Sequence, residues 1–393
     1  MIAEEYVLPE RRPALDSVLA QGLASGRYDV TQPAALAERI TEDLRATARD
    51  RHLYLNFDPR QAAILSAQNN ATKPDPSGLE RQVRATNHGV TELRVLPGNI
   101  RYMAFTGGHW IGAESAAAID AAMRFLAGGE AIIIDIRNHR GGSAEPAKHI
   151  LSHFMPANQP LYTFYEKGET NRVFTLPTVP AGRMIGKPLY ILTGPSTASA
   201  AEELAGNVAG FRIGEVIGET TAGAGFMNAL EPIGGVFVLS VSIARVVLAS
   251  TGRDWEALGI APTIRTPVPQ ALDAAQAHAL RRIAATAPAE ERPRLEAMAE
   301  GFAARLDART PALPLPAYAG RFGERTVIEE GGKLYYQRAN GPRTLLIPLG
   351  GNRFAFDNDM SLQLEFTPTG EAASAFTIRR PGTAPQGTYD RTP

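Results

Sequence analysis

The chain has no cysteine, which excludes disulfides, thiol nucleophiles and thiolate metal sites together. It also has almost no net charge: 40 Lys and Arg against 41 Asp and Glu leave −1. Nothing therefore points to a nucleic-acid or polyanion surface, and no nucleic-acid partner is expected. No apolar run reaches the length needed to cross a bilayer, so no membrane span is expected. The start, Met1-Ile2-Ala3-Glu4-Glu5-Tyr6, lacks the basic and apolar regions of a signal peptide. A mature form carrying an added Met would read the same way, so the location stays open, with an extracytoplasmic (periplasmic or secreted) one favoured. What is present is ordinary for a globular protein: 44% hydrophobic and 21% charged residues in a chain of 393, enough for two or three domains.

In order along the chain, Leu15, Val18, Leu19 and Leu23, then Leu36, Ile40 and Leu44, fall on helical faces, giving an N-terminal helical subdomain over 1–75. Residues after His52 alternate as a strand. The polar, aperiodic stretch 66–90 reads as a linker or loop. From 91 the pattern is α/β. Helix 116–126 precedes the continuous apolar strand 131–136, which runs into the glycine turn Arg140-Gly141-Gly142 and a helix near 144–154. Runs at 189–192, 213–217 and 236–243 add strands, so a sheet covered on both faces is expected over a core of 76–285. A helical segment and proline-punctuated linker follow over 286–316. Short runs separated by Gly331-Gly332 and Gly350-Gly351-Asn352 predict a small antiparallel β-domain over 317–393, its last ten residues or so disordered.

The organising stretch is Leu189 to Ala205. Gly194 and Pro195 stop an apolar strand, and Ala and Glu then take over at helical spacing from about Ala198. A serine at a strand–turn–helix junction has backbone N–H groups beside it and the positive end of a helix behind it, the two things an oxyanion needs. Ser199 is the candidate nucleophile. Taken alone, the junction is better read as Ser196, Thr197 and Ser199 capping the helix.

Four segments settle the comparison. Asp135-Ile136-Arg137-Asn138-His139-Arg140-Gly141-Gly142 is similar to Asp-Leu-Arg-x-Asn-x-Gly-Gly of the tail-specific (C-terminal processing) peptidase family, which includes the tricorn core protease and interphotoreceptor retinoid-binding protein. Thr197-Ala198-Ser199-Ala200-Ala201-Glu202-Glu203 resembles its nucleophile segment. Val216 to Gly223 resembles a third segment, and Trp255-Glu256-Ala257-Leu258-Gly259-Ile260-Ala261-Pro262 a fourth, similar to Trp-Glu-x-x-Gly-Val-x-Pro-Asp. The resemblance covers roughly residues 1–285. It implies a ClpP/crotonase-like α/β core with a mixed sheet and helices on both faces, and a serine-type peptidase.

Many family members pair the serine with a lysine in a Gly-Lys-Gly turn. Here that turn is Gly223-Ala224-Gly225, and a methyl group takes no proton. The tricorn and retinoid-binding-like branch instead uses an upstream histidine and a glutamate in the fourth segment. The resemblance therefore implies His52 as base and Glu256 as its orienting carboxylate, with Arg51 where tricorn-like members carry a further serine. A serine hydroxyl needs such a base at neutral pH, and a carboxylate holds the imidazole tautomer. For the oxyanion hole the resemblance implies the Ala200 N–H and one from Gly141 or Gly142, with the choice of glycine open.

Other polar residues carry plainer readings. Asp135 and Arg137 read as an ion pair that positions the turn, and Glu202 and Glu203 as first-turn carboxylates facing the helix dipole. His139 lies in the glycine turn, within potential reach of substrate. His149 and His153 are four apart on one helix but lack a third ligand in the sequence, so no metal and no cofactor is expected. Residues 58–92 are too few for a substrate-recruiting PDZ module, which favours peptides that are short or unfolded. The expected partner is a peptide or small acyl substrate, with homo-oligomerisation left open. The rival readings are a retinoid- or fatty-acid-type binding protein on the same fold, and an esterase or amidase for a small substrate.

Overall fold

The computed structural model describes residues 2–70, 77–166, 169–307 and 309–392. It is a mixed α/β fold with a C-terminal antiparallel sheet. The runs read as buried strands are buried on every residue: Ala131–Asp135 and Leu189–Thr193. They are central in a six-stranded sheet ordered Ile264–Arg265, Glu215–Gly218, Leu189–Thr193, Ala131–Asp135, Ile100–Phe105, Val90–Leu96. Leu189–Thr193 pairs in parallel with Glu215–Gly218, which pairs in parallel with Ile264–Arg265. A continuous apolar strand is what a parallel sheet covered on both faces demands. The helix Ala200–Gly210 supplies part of that cover and buries nine residues, four of them Ala or Gly. A Cβ on Gly206 would stand 2.7 Å from Leu248 and 3.0 Å from Ile260, so the small residues allow close approach.

A second sheet is antiparallel. Its long strand Phe237–Leu248 pairs with Tyr54–Phe57, with Pro160–Glu166 and with Phe226–Ile233, and Pro160–Glu166 pairs onward with Glu169–Phe174. The helices Arg12–Ala24 and Pro33–Ala48 agree with the periodicity. Leu15, Leu44, Leu53 and Val241 form one buried cluster.

Two expectations are corrected. The stretch read as a linker carries the end of helix Pro59–Asn70 and all of helix Ser77–Ala85, while residues 71–76 lie outside the described residues. The second helix buries only Val83, so it lacks the apolar stripe that would reveal it. The expected disordered tail is instead ordered. Gly387–Asp390 pairs with Ala372–Arg379, and Thr392 N–H donates to Arg321 O at 2.8 Å.

The chain divides into two compact units: residues 1–93, 103–128 and 134–265, and residues 94–102, 129–133 and 266–393. Within the second, eight strands from Gly320–Phe322 to Gly387–Asp390 follow one another as a meander. The Arg321–Thr392 bridge returns the end to the first strand, which removes an open edge. Its interior is aromatic: Tyr318, Phe322, Phe354, Phe366 and Phe376 are almost fully buried, with ring centroids 4.7–6.2 Å apart. In the same unit, helix Arg292–Leu306 lies close to strand Asp359–Thr369: Arg305 reaches Asp357 at 2.6 Å, and a Cβ on Gly301 would meet Met360 Sδ at 2.7 Å. Among the described residues, no helix is long and apolar enough to cross a membrane.

Candidate active site

The serine junction is built from the strand end upward. After Thr193, the Thr197 hydroxyl accepts from Gly194 N–H at 3.0 Å and donates to Ile136 O at 2.9 Å. Ala198 N–H donates to His139 O at 3.1 Å. These bonds fasten the serine turn to the loop that leaves Ala131–Asp135. Ser199 then adopts φ 55° and ψ −122°, a conformation that costs a non-glycine residue ~1–3 kcal/mol and persists only when its surroundings enforce it. The residue that enforces it is Glu202.

Glu202 is fully buried. Its Oε2 accepts from Ser199 N–H at 2.8 Å and Ala224 N–H at 2.8 Å; its Oε1 accepts from Gly223 N–H at 2.7 Å and the Thr221 hydroxyl at 2.6 Å. All four partners are donors, the pattern a carboxylate satisfies fully. Sequence reasoning gave Glu202 only a helix-dipole role. The signal that reveals more was present: Ser199-x-x-Glu202 is a capping-box spacing.

The other half of the site lies on residues 50–52 and 256. His52 Nδ1 is 3.4 Å from Glu256 Oε2 and 3.9 Å from Asp50 Oδ1. Glu256 is 8% exposed. Its oxygens accept from Arg51 N–H at 3.0 Å, Gly225 N–H at 2.7 Å and Phe226 N–H at 2.9 Å. Burial opposes its charge, yet the His52 ring and the Arg51 and Phe226 N–H groups hold its carboxyl below the ordinary range. Burial drives the neighbouring Asp50 carboxyl the other way, upward, with the Glu256 charge adding to it. Arg51, in the place of the extra serine, sends its guanidinium to Ala222 O.

Residues 222–226 join the two halves. Ala222 N–H donates to Thr197 O at 2.9 Å, Gly223 and Ala224 donate to Glu202, and Gly225 and Phe226 donate to Glu256. A Cβ on Gly225 would stand 2.8 Å from Glu256 N, so only glycine lets this loop lie against the carboxylate's backbone. Ser199 makes no hydrogen bond to the His52 ring. Such contacts are often long in unliganded sites and tighten on substrate.

The glycine turn faces the serine. A Cβ on Gly141, at φ 99°, would lie 2.7 Å from Ser199 Cβ and 3.3 Å from its Oγ, so a side chain there would occupy the nucleophile's space. Gly141 N–H donates to His139 Nδ1 at 3.0 Å. Among the described residues, the Gly142 and Ala200 N–H groups have no such acceptor. The Asp135–Arg137 pair closes at 2.6 Å beside this turn, as its sequence reading has it.

His139 does not face substrate. It is 2% exposed, with its ring 5.0 Å from that of Phe105, and its Nδ1 accepts from Gly141 N–H. Burial pushes its pKa down to about 4. Between that value and the ordinary ~6.5 the unfolded chain binds the extra proton, so stability held at neutral pH is lost as pH falls from ~6.5 toward 4, up to ~3 kcal/mol in all. His139→Asn keeps an acceptor and removes the titration. Urea unfolding at neutral and acidic pH is expected to show a shallower acid loss for this variant than for the unmodified chain; equal slopes refute the assignment.

Part of the chain is similar to known proteins. Residues 98–266 match Peptidase family S41. The chain is 29% identical over 141 residues to the carboxy-terminal processing protease CtpB of Bacillus subtilis, a stretch covering 36% of this chain and 28% of that protein. It is 30% identical over 135 residues to the carboxyl-terminal-processing protease of Synechocystis sp., covering 34% and 30%. The match thus spans less than a third of either relative's length. Among solved structures, a photosystem II D1 C-terminal processing protease superposes with a TM-score of 0.44 at 15% identity, over 68% of this chain and 90% of that one. The matched segment holds Gly141, Gly142, Ser199, Ala200, Glu202 and Glu256, with His52 upstream of it. Residues 98–266 are therefore similar to the domain of peptidase family S41.

Proposed function

We propose that this protein is a serine peptidase that hydrolyses short or unfolded peptides through an acyl-enzyme, on a ClpP/crotonase-like core. The observation that carries the reading is the hydrogen-bonded run 222–226, which ties the strained Ser199 backbone, through Glu202, to the carboxylate beside His52. In this reading Glu256 holds the proton on His52 Nδ1, which leaves Nε2 as the base. His52 takes the proton from Ser199 Oγ as the oxygen attacks the peptide carbonyl. The developing oxyanion is received by the N–H groups of Ala200 and Gly142, since the Gly141 N–H is already engaged by His139. His52 then gives its proton to the leaving amine, and the acyl group stays on Ser199 until water, deprotonated by His52, releases it.

A fluorophosphonate reports directly on such a serine. Its expected product is one phosphonylated residue, Ser199, found by peptide mass spectrometry, and labelling of a different residue or none overturns the reading. A peptide library with free and amidated C-termini then tells whether a terminal carboxylate is recognised, as the names of the two relatives suggest.

A further inference from the structure

Outside the serine site, the first unit contains a second cluster of metal-ligating side chains. We propose that Asp120, His149 and His153 bind one divalent transition-metal cation of the zinc class. His149 sits on helix Glu145–Ser152 and His153 caps its end, one turn later, while Asp120 comes from the neighbouring helix Ala113–Ala127. All three are buried, at 7%, 6% and 0% exposure for Asp120, His149 and His153. One donor atom from each lies within 4.8 Å of the others.

The geometry separates this trio from an ordinary buried hydrogen bond. His149 Nε2 is 2.7 Å from Asp120 Oδ1, and that contact alone would account for two of the residues. It leaves His153 unexplained. The His153 Nδ1–H donates to His149 O at 3.0 Å, which fixes the tautomer and turns Nε2 inward, 3.6 Å from Asp120 Oδ1. That Nε2 is buried and has no hydrogen-bond partner, which is destabilising for a polar atom if nothing meets it. A tetrahedral ion with bonds of ~2.0–2.2 Å holds its ligand atoms roughly 3.3 Å apart. The His153–Asp120 separation is close to that, and the His149–Asp120 pair needs to widen by about 0.6 Å.

Two imidazoles and one carboxylate suit Zn²⁺, Co²⁺ or Ni²⁺ rather than Ca²⁺ or Mg²⁺, which take all-oxygen shells. A water completes four-coordination. The helix that carries the histidines begins three residues after the Gly141-Gly142 turn, so an ion here fastens helix Ala113–Ala127 to the element that follows that turn. In the sequence, His149 and His153 lacked a third ligand; Asp120 becomes one only when two helices pack.

The test uses the full chain, stripped with a chelator and titrated with cobalt(II) and with zinc(II). One equivalent of cobalt with the visible bands of tetrahedral Co²⁺ is expected, together with a higher thermal midpoint in zinc. Asp120→Asn and His153→Ala are expected to weaken cobalt binding at least ~100-fold. His153→Gln keeps more of the side-chain volume and serves if the alanine variant does not fold. His52→Ala is expected to keep the spectrum unchanged. The proposal is overturned if the unmodified chain takes up no stoichiometric cobalt. It is equally overturned if His52→Ala removes the bands, because that places the ion on Asp50, His52 and Glu256, whose donor atoms also lie within 4.8 Å of one another.

Discussion

Ser199→Ala is expected to lower kcat for peptide hydrolysis by about 10⁵- to 10⁶-fold, the loss usual when a nucleophile of this type is removed. KM should change little, because the hydroxyl acts in the chemical step rather than in substrate binding. Fluorophosphonate labelling should vanish with the activity. The fold should survive, since Glu202 holds the residue by its backbone N–H at 2.8 Å, which alanine retains along with the same backbone constraint. Hydrolysis of a peptide followed by chromatography, beside a thermal melt, checks both halves. A variant that melts normally and keeps a tenth of the activity would assign the chemistry to another residue.

The second large effect falls on Glu202→Gln. Each carboxylate oxygen of Glu202 receives two donors, Ser199 and Ala224 on one side and Gly223 and Thr221 on the other. An amide turned either way points its NH₂ group at two other donors, and the Glu202 side chain is fully buried. Breaking a buried, charge-assisted set of this kind costs roughly 3–5 kcal/mol. The remaining folded protein should also phosphonylate slowly, because Ser199 at φ 55° and residues 223–224 lose the carboxylate that holds their N–H groups. Urea unfolding gives the stability, and the labelling rate under folding conditions gives the positioning effect. A loss below about 1 kcal/mol with an unchanged labelling rate would reduce Glu202 to the helix-dipole role its sequence position first suggests.

These two residues show where the sequence was legible. Strands such as Leu189–Thr193 and Ala131–Asp135 were readable because burial on both faces leaves no choice but a continuous apolar run. The strand-to-helix change around Ser199 was readable from Gly194, Pro195 and the Ala and Glu that follow. Strand Glu169–Phe174 was not, because five of its six residues are exposed, and pairing with Pro160–Glu166 rather than an apolar pattern holds it. The tail failed for the same reason. Tyr389 is ordered by Phe376, 5.4 Å away, and by the Arg325 guanidinium over its ring, partners that no local window of sequence contains.

By itself, the sequence determined the kinds of element and the candidate Ser199, which rest on local pattern and side-chain chemistry, while the family resemblance of its motifs supplied His52, Glu256 and the loss of a lysine base at Ala224. The tertiary structure decided the rest. Arg51 and Glu256 are 205 positions apart yet share a 3.0 Å hydrogen bond. Glu202 became the anchor of Ser199 only when residues 221–224 folded back onto it. Gly141 and Gly142, equivalent in the sequence, were separated by a single acceptor, His139 Nδ1, which engages the first and leaves the second free of it. Hydrogen bonds reach only about 3 Å, so which donors meet which acceptors is set by how distant segments pack and not by their spacing along the chain.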